Sequence, residues 1–295
     1  MKLDGFIEAE KIAGRSVKRA CDLFGVSRAA FYQRLNPTPS ARAVADGELA
    51  AKITEIHATS GGTYGSPRVA AELDHQGTHI GRRRVARLMR AAGIEGRTKK
   101  RWRRTTIADP AAEATRDLIA RQFEVGGPTD ARYVGDITYI ATWEGWAYLA
   151  TVIDLASRRI VGWALADHMR TELVTDALEA AFAQRRPPAG LIFHSDRGCQ
   201  YTSADHARLA RDHGVVLSVG RKGQCWDNAV AESFFATIKR ELIDTRPWPT
   251  HAGLHRAVFD YIEGWYNTRR LHSALGYLSP ASYEAIHQAA HPQAA

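Results

Sequence analysis

The sequence predicts an α/β protein in which small all-helical units precede a mixed five-stranded sheet with flanking helices. Three observations carry this. Strand-like runs at Arg132 to Ala141, Trp146 to Ile153 and Arg159 to Ala166 are separated by turns at Trp143-Glu144-Gly145 and Leu155 to Arg158, short enough for antiparallel hairpins. Two more apolar runs, Leu191 to His194 and Val215 to Val219, then alternate with helical stretches. Ahead of all five, the apolar residues recur at helical spacing between capping residues, glycines and prolines.

Residues 1–36 form the first helical unit. Ser16 caps a short helix with Ala20 and Leu23 inward, Gly25 permits a tight turn, and Ser27 caps a second helix that buries Ala30, Phe31 and Leu35. Helix, glycine turn and capped helix is the helix-turn-helix pattern. Arg28 and Arg34 face outward. Asn36-Pro37-Thr38-Pro39-Ser40 breaks the chain, because proline cannot continue a helix.

A second helix-turn-helix-like unit spans 41–96. Leu49, Ile53 and Ile56 line one side of its first helix, and Ser66-Pro67 opens another through Val69, Ala70 and Leu73. The stretch Arg82 to Ala92 buries Val85, Leu88, Met89 and Ala92 and turns Arg82, Arg83, Arg84, Arg87 and Arg90 outward, with no acid among them. Such a helix is expected to face a polyanion. The segment 97–127 is a basic linker, in which Arg97, Lys99, Lys100, Arg101, Arg103 and Arg104 crowd around Trp102, an arm suited to ordering on nucleic acid.

Charge follows the same division. The net charge of +8 splits into +10 for residues 1–110, from 21 basic and 11 acidic residues, and −2 for the remaining 185. Clustered positive charge of this kind neutralises phosphates, which is how nucleic-acid affinity arises. Cys21, Cys199 and Cys225 have neither metal-knuckle nor disulfide spacing, and a reducing cytoplasm is expected. No run reaches membrane-spanning length, and Asp4, Glu8 and Glu10 stand where a signal sequence would be apolar.

A core of 128–248 carries the chemistry. Asp136 lies inside the apolar run from Tyr133 to Ile140, Asp196 closes the run from Leu191, and Glu232 lies in the helical segment after Asp227. An ionised carboxylate among strand hydrophobics is costly unless something positive meets it, and neither run offers Lys or Arg before its acid. A divalent cation is the economical partner for three converging acids, and oxygen-only ligation favours Mg²⁺ or Mn²⁺ over zinc. Thr171 caps a helix through Ala183, Pro187-Pro188 ends it, and Ser203 caps the next to His213. The aromatic density of 249–295 argues for a helical extension packed on the core.

Asp136-Ile137-Thr138-Tyr139, His194-Ser195-Asp196-Arg197-Gly198 and Asn228-Ala229 through Glu232, with 35 residues between the second and third acids, resemble the acidic triad of bacterial insertion-sequence transposases with a retroviral-integrase core, the OrfB-type protein. The likeness extends to the ending at Trp265-Tyr266-Asn267 and Leu271 to Tyr277. It implies a ribonuclease-H-like fold with Asp136 mid-sheet, Asp196 at the carboxyl end of the next strand and Glu232 one turn into a crossing helix. It also implies catalysis by Asp136, Asp196 and Glu232 around two metal ions roughly 4 Å apart, cutting and joining DNA strands by in-line displacement. Lys239, seven positions after the glutamate, inherits a DNA contact. From the residues themselves, Arg197 and Asn228 are expected to support the site, His194 either supports it or is a core histidine, and Arg221 and Lys222 form a basic loop beside it with Trp226 as a stacking partner or a core residue. Asp154 has no counterpart in the triad and is expected to cap a turn. The sequence departs from the family pattern at Tyr133, where tryptophan is expected, and at Cys199, where serine is commoner.

The implied partners are double-stranded DNA, both element ends with their terminal inverted repeats and target, a second copy of the chain on that DNA, and a companion helix-turn-helix protein from the same element. The implied setting is the bacterial nucleoid. Two other readings share these features: a DNA-binding regulator without turnover, which has no need of the acids, and a structure-specific nuclease, which has no need of two helix-turn-helix units.

Overall fold

The computed structural model describes residues 3–35, 39–97, 125, 127–219 and 229–290. The first unit has three helices, α1 (Leu3–Ile12), α2 (Val17–Leu23) and α3 (Arg28–Leu35). Ser16 accepts from the Arg19 amide and Ser27 from the Ala30 amide, as expected of N-caps. Two readings are corrected. α1 was not foreseen, although its Ile7 is fully buried with Ala20, Cys21 and Phe31. Leu23 is exposed, because Cys21 takes the inward position on so short a helix. Arg34 is exposed as expected and in addition meets the Asp4 carboxylate of α1 at 2.8 Å.

The second unit packs α4 (Ala41–Thr59), α5 (Ser66–His75) and α6 (Arg82–Ala91) around Leu49, Ile53, Val69, Leu73, Val85, Leu88 and Met89. Gly65, in extended backbone, is the N-cap of α5, so Ser66-Pro67 falls inside the first turn and Ser66 does not cap. Ala92 follows the end of α6 and is exposed, not buried.

Five strands follow: β1 (Arg132–Thr142), β2 (Gly145–Asp154), β3 (Ile160–Ala166), β4 (Ile192–Ser195) and β5 (Val216–Val219). Their order is β3-β2-β1-β4-β5, with β1, β2 and β3 antiparallel and β4 and β5 parallel to β1. Helix α7 (Thr171–Arg185) covers one face through Leu173, Val174, Ala177, Leu178 and Ala181, against Tyr133, Val152, Val161 and Phe193. It lies so close that a Cβ on Gly162 would come within 2.2 Å of the Ala177 carbonyl oxygen. Arg170, not Thr171, is its N-cap, and no side chain caps it. Helix α8 (Ala204–Asp212) is capped by Ser203 as read. Asp154 accepts from the Ala156 and Ser157 amides at 2.7 and 3.0 Å, the turn cap expected of it.

The opposite face takes α9 (Ala229–Glu241) and α10 (His251–Phe259), whose Phe234, Ile238, Leu254 and Val258 pack on Val134, Leu149, Ile153 and Ile160. A π-helical turn at Asp260–Tyr266 and α11 (Pro280–Ala290) complete the chain. The side-chain amide of Asn267 both donates to and accepts from the Ile160 backbone at 2.9 Å, supplying the outer edge of β3 with partners it would otherwise lack. The terminal segment also reaches back to the second helical unit. Leu271 joins its core, the Tyr64 hydroxyl accepts from the Leu271 amide at 2.8 Å, and Arg68 donates to the Leu271 carbonyl at 2.9 Å.

Candidate active site

β4 pairs with β1 only at Arg132, Tyr133 and Val134, so from Gly135 onward that side of β1 has no strand beside it. Asp136 is the second residue past this point. Gly135 before it has no room for a side chain, since its Cβ would come within 2.3 Å of the Phe193 ring. Asp196 follows β4 directly, and Glu232 sits in the first turn of α9, which packs on β1. The elements bordering the opening left where β4 stops thus carry Asp136 on β1, Asp196 after β4 and Glu232 on α9.

The electrostatics link these three residues. Burial, followed by the negative charges of Asp196 and Glu232, pushes the Asp136 carboxyl up to about 7, against the opposing effect of the Ile137 amide it accepts at 2.8 Å. Burial also raises Glu232. Asp196 is exposed and accepts from the Gly198 amide at 3.0 Å. A Cβ on Gly198 would lie 3.1 Å from that same carboxylate oxygen, so glycine lets the loop fold onto it.

Among the described residues, which include Asp136, Asp196 and Glu232, no three acids, imidazoles or thiolates stand close enough together to hold a metal ion as they are. The chemistry of the three carboxylates nevertheless suits a hard divalent cation: the donors are all oxygen, and like charges raise the central one, a repulsion that a cation would reverse.

Tyr201 was missed in the sequence. Its hydroxyl is held well above the usual phenol range by burial and then by the charges of Asp136 and Asp196, which places it in the floor of the site. The only signal was its position five residues after Asp196. His194 is buried and bonds Ser218 of β5 at 2.9 Å, tying β4 to β5, while Arg197 beside Asp196 is exposed. Lys239 lies on the Tyr139 ring, 5.2 Å from its centre, and Tyr139 meets Trp146 edge to face.

The arginine helix needs correction. Arg84 and Arg87 pair with Asp46 of α4 at 2.8 and 2.6 Å, an acid 38 and 41 positions away in sequence. Arg82, Arg83 and Arg90 are exposed and have no ion pair among the described residues. Lys99, Lys100, Arg101, Arg103, Arg104, Arg221, Lys222, Trp226 and Asn228 lie outside the described residues.

Comparison with known proteins assigns the class first: models of an integrase core domain match residues 129–225 and 213–280, and one of an HTH-like domain matches 45–102. The integrase-core matches take in the whole sheet and α9, a ribonuclease-H-like architecture of polynucleotidyl-transferase type. A 31 kDa protein of insertion element IS600 from Shigella sonnei is 38% identical over 92% of this chain and 99% of its own length. The transposase InsF for insertion sequence IS3A of Escherichia coli is 35% identical over 95% of this chain and 97% of its own. The chain belongs to the insertion-sequence transposases.

Proposed function

We propose that the protein is a metal-dependent DNA transposase that cuts strands at insertion-sequence ends and joins them to target DNA by one-step transesterification. What supports this reading is the Asp136 carboxyl where β1 loses its neighbour, raised by burial and then by the charges of Asp196 and Glu232, with no cation bonded to it among the described residues. Those carboxylates would hold Mg²⁺ or Mn²⁺, two ions in all. When bound, the ions supply acidification of the attacking water or 3′-hydroxyl and neutralisation of charge on the leaving oxygen.

The protein's own groups do the rest. The half-buried setting of Asp136 excludes water from one side of the reacting phosphate and strengthens every charge interaction there. Lys239, two helical turns along α9 from Glu232, meets the DNA backbone, and Arg82, Arg83 and Arg90 give the second helical unit its phosphate contacts. The DNA is the element's terminal inverted repeats and its target, held by more than one copy of the chain in the bacterial nucleoid, with a companion helix-turn-helix protein from the same element. A regulator without turnover leaves an acid raised by burial and then by two acidic neighbours unexplained, and a structure-specific nuclease leaves the helical units without a role.

Strand transfer with labelled element ends in Mg²⁺ tests the proposal. Asp196→Asn should lower product by at least about a thousandfold, on the order of the transition-state stabilisation lost with an electrostatic catalytic group. Equal product from both proteins would end the enzymatic reading.

A further inference from the structure

A second cavity, of about 390 Å³, lies between α5, the β2–β3 turn, α9 and the terminal segment. Its wall is cationic: Arg68, Arg158, Arg240 and Arg270 line it together with His272 and Ser233. Among the described residues two acids offset these four guanidiniums, Glu241, bonded to Arg270 at 2.7 Å, and Asp154, whose charge acts on Arg158. The arginines act on one another's surroundings. Burial, then the charges of Arg270, Arg68 and Arg158, hold the His272 imidazole well below its ordinary pKa. The Nε2 atom of His272 and the Nε atom of Arg240 are both buried with no hydrogen-bond partner. Unbonded polar atoms in a wall of excess positive charge are costly unless an anion completes them. A phosphate fits in size, charge and demand for donors.

We infer that this cavity is a phosphate-binding pocket, separate from the three-carboxylate site, that takes a backbone phosphate of bound DNA where the second helical unit meets the core. It would serve a positioning role. Arg68 belongs to the helical unit, Arg158 and Arg240 to the core, and Arg270 to the terminal segment, so one phosphate would draw three parts of the chain together. Assigning the phosphate to DNA rests on the function proposed above. The pocket itself does not, and a chain inactive in strand transfer would still show it.

Two measurements on the full-length protein in chelator test this, with Arg240→Gln and Ala274→Glu as variants; Ala274 is exposed at the rim, and a glutamate there would stand in for the anion. In thermal melting, millimolar inorganic phosphate should raise the wild-type Tm by on the order of 2–4 °C beyond chloride of equal ionic strength. Both variants should lose that increment, and Ala274→Glu should melt higher than wild type without phosphate. In duplex binding across a salt series, Arg240→Gln should reduce the slope of log K against log salt by about one. No phosphate-specific rise in the wild type, or an undiminished rise in both variants, overturns the pocket. A rise lost in the variants with an unchanged DNA slope assigns the pocket to free phosphate and overturns the DNA assignment.

Discussion

Carboxylates withdrawn from solvent are treated in opposite ways in different parts of this molecule. Where the terminal segment packs on the core, Glu241 and Glu284 are both answered, as Asp154 is by backbone amides at the β2–β3 turn. Glu241 is bonded to Arg270 at 2.7 Å and to the Tyr261 hydroxyl at 2.9 Å, and Glu284 meets Arg159 and Arg185, each at 2.8 Å. Where β1 loses its neighbour, Asp136 accepts one backbone amide and faces two further carboxylates. The first arrangement joins segments distant in sequence and is complete as it stands. The second costs folding energy, which is the mark of a site shaped for a task other than stability.

Three substitutions sharpen this contrast, and the largest effect belongs to the answered acids. Arg270→Ala leaves Glu241 buried without its partner and should lower stability by about 3–5 kcal/mol in urea unfolding. A loss below about 1 kcal/mol would mean the pair is not desolvated. Asp136→Asn should have the opposite sign. With its carboxyl pushed up to about 7 from 3.8, the folded chain retains a proton that the unfolded chain has released, so this group lowers stability as pH rises through that window. In chelator the variant should therefore gain on the order of 1–3 kcal/mol over wild type at pH 8 and almost nothing at pH 4. A pH-independent difference would show that neither burial nor the neighbouring acids raise Asp136. The smallest effect is that of Lys239→Ala, which removes a half-buried cation from the Tyr139 ring and should change melting by under about 1 kcal/mol. It should nonetheless flatten the salt dependence of DNA binding by about one unit of slope.

The sheet was legible because its signals are local. Apolar runs bounded by turns placed β1 to β5 within a residue or so at each end, and Asp154, Ser16, Ser27 and Ser203 cap as their positions in the chain dictate. What escaped was long-range. Nothing near Arg84 and Arg87 announces Asp46, and nothing near Ile160 announces Asn267, because those partners are chosen by how elements pack. Arg34 was read as outward without its partner for the same reason, since Asp4 lies on a helix whose short apolar pattern gave no warning. Asp136 was legible as an anomaly, a charge inside an apolar strand, whereas Asp196 and Glu232, both exposed, were legible from the motifs around them. Tyr201 was not, because a tyrosine in a buried loop is unremarkable until its neighbours are known.

Melting of the wild-type protein and Asp136→Asn at pH 7.5 as Mn²⁺ is raised tests most directly whether the three carboxylates act as one cation site. The wild-type Tm should climb with the logarithm of metal concentration while the variant stays nearly flat. Parallel climbs in the two proteins would contradict the account.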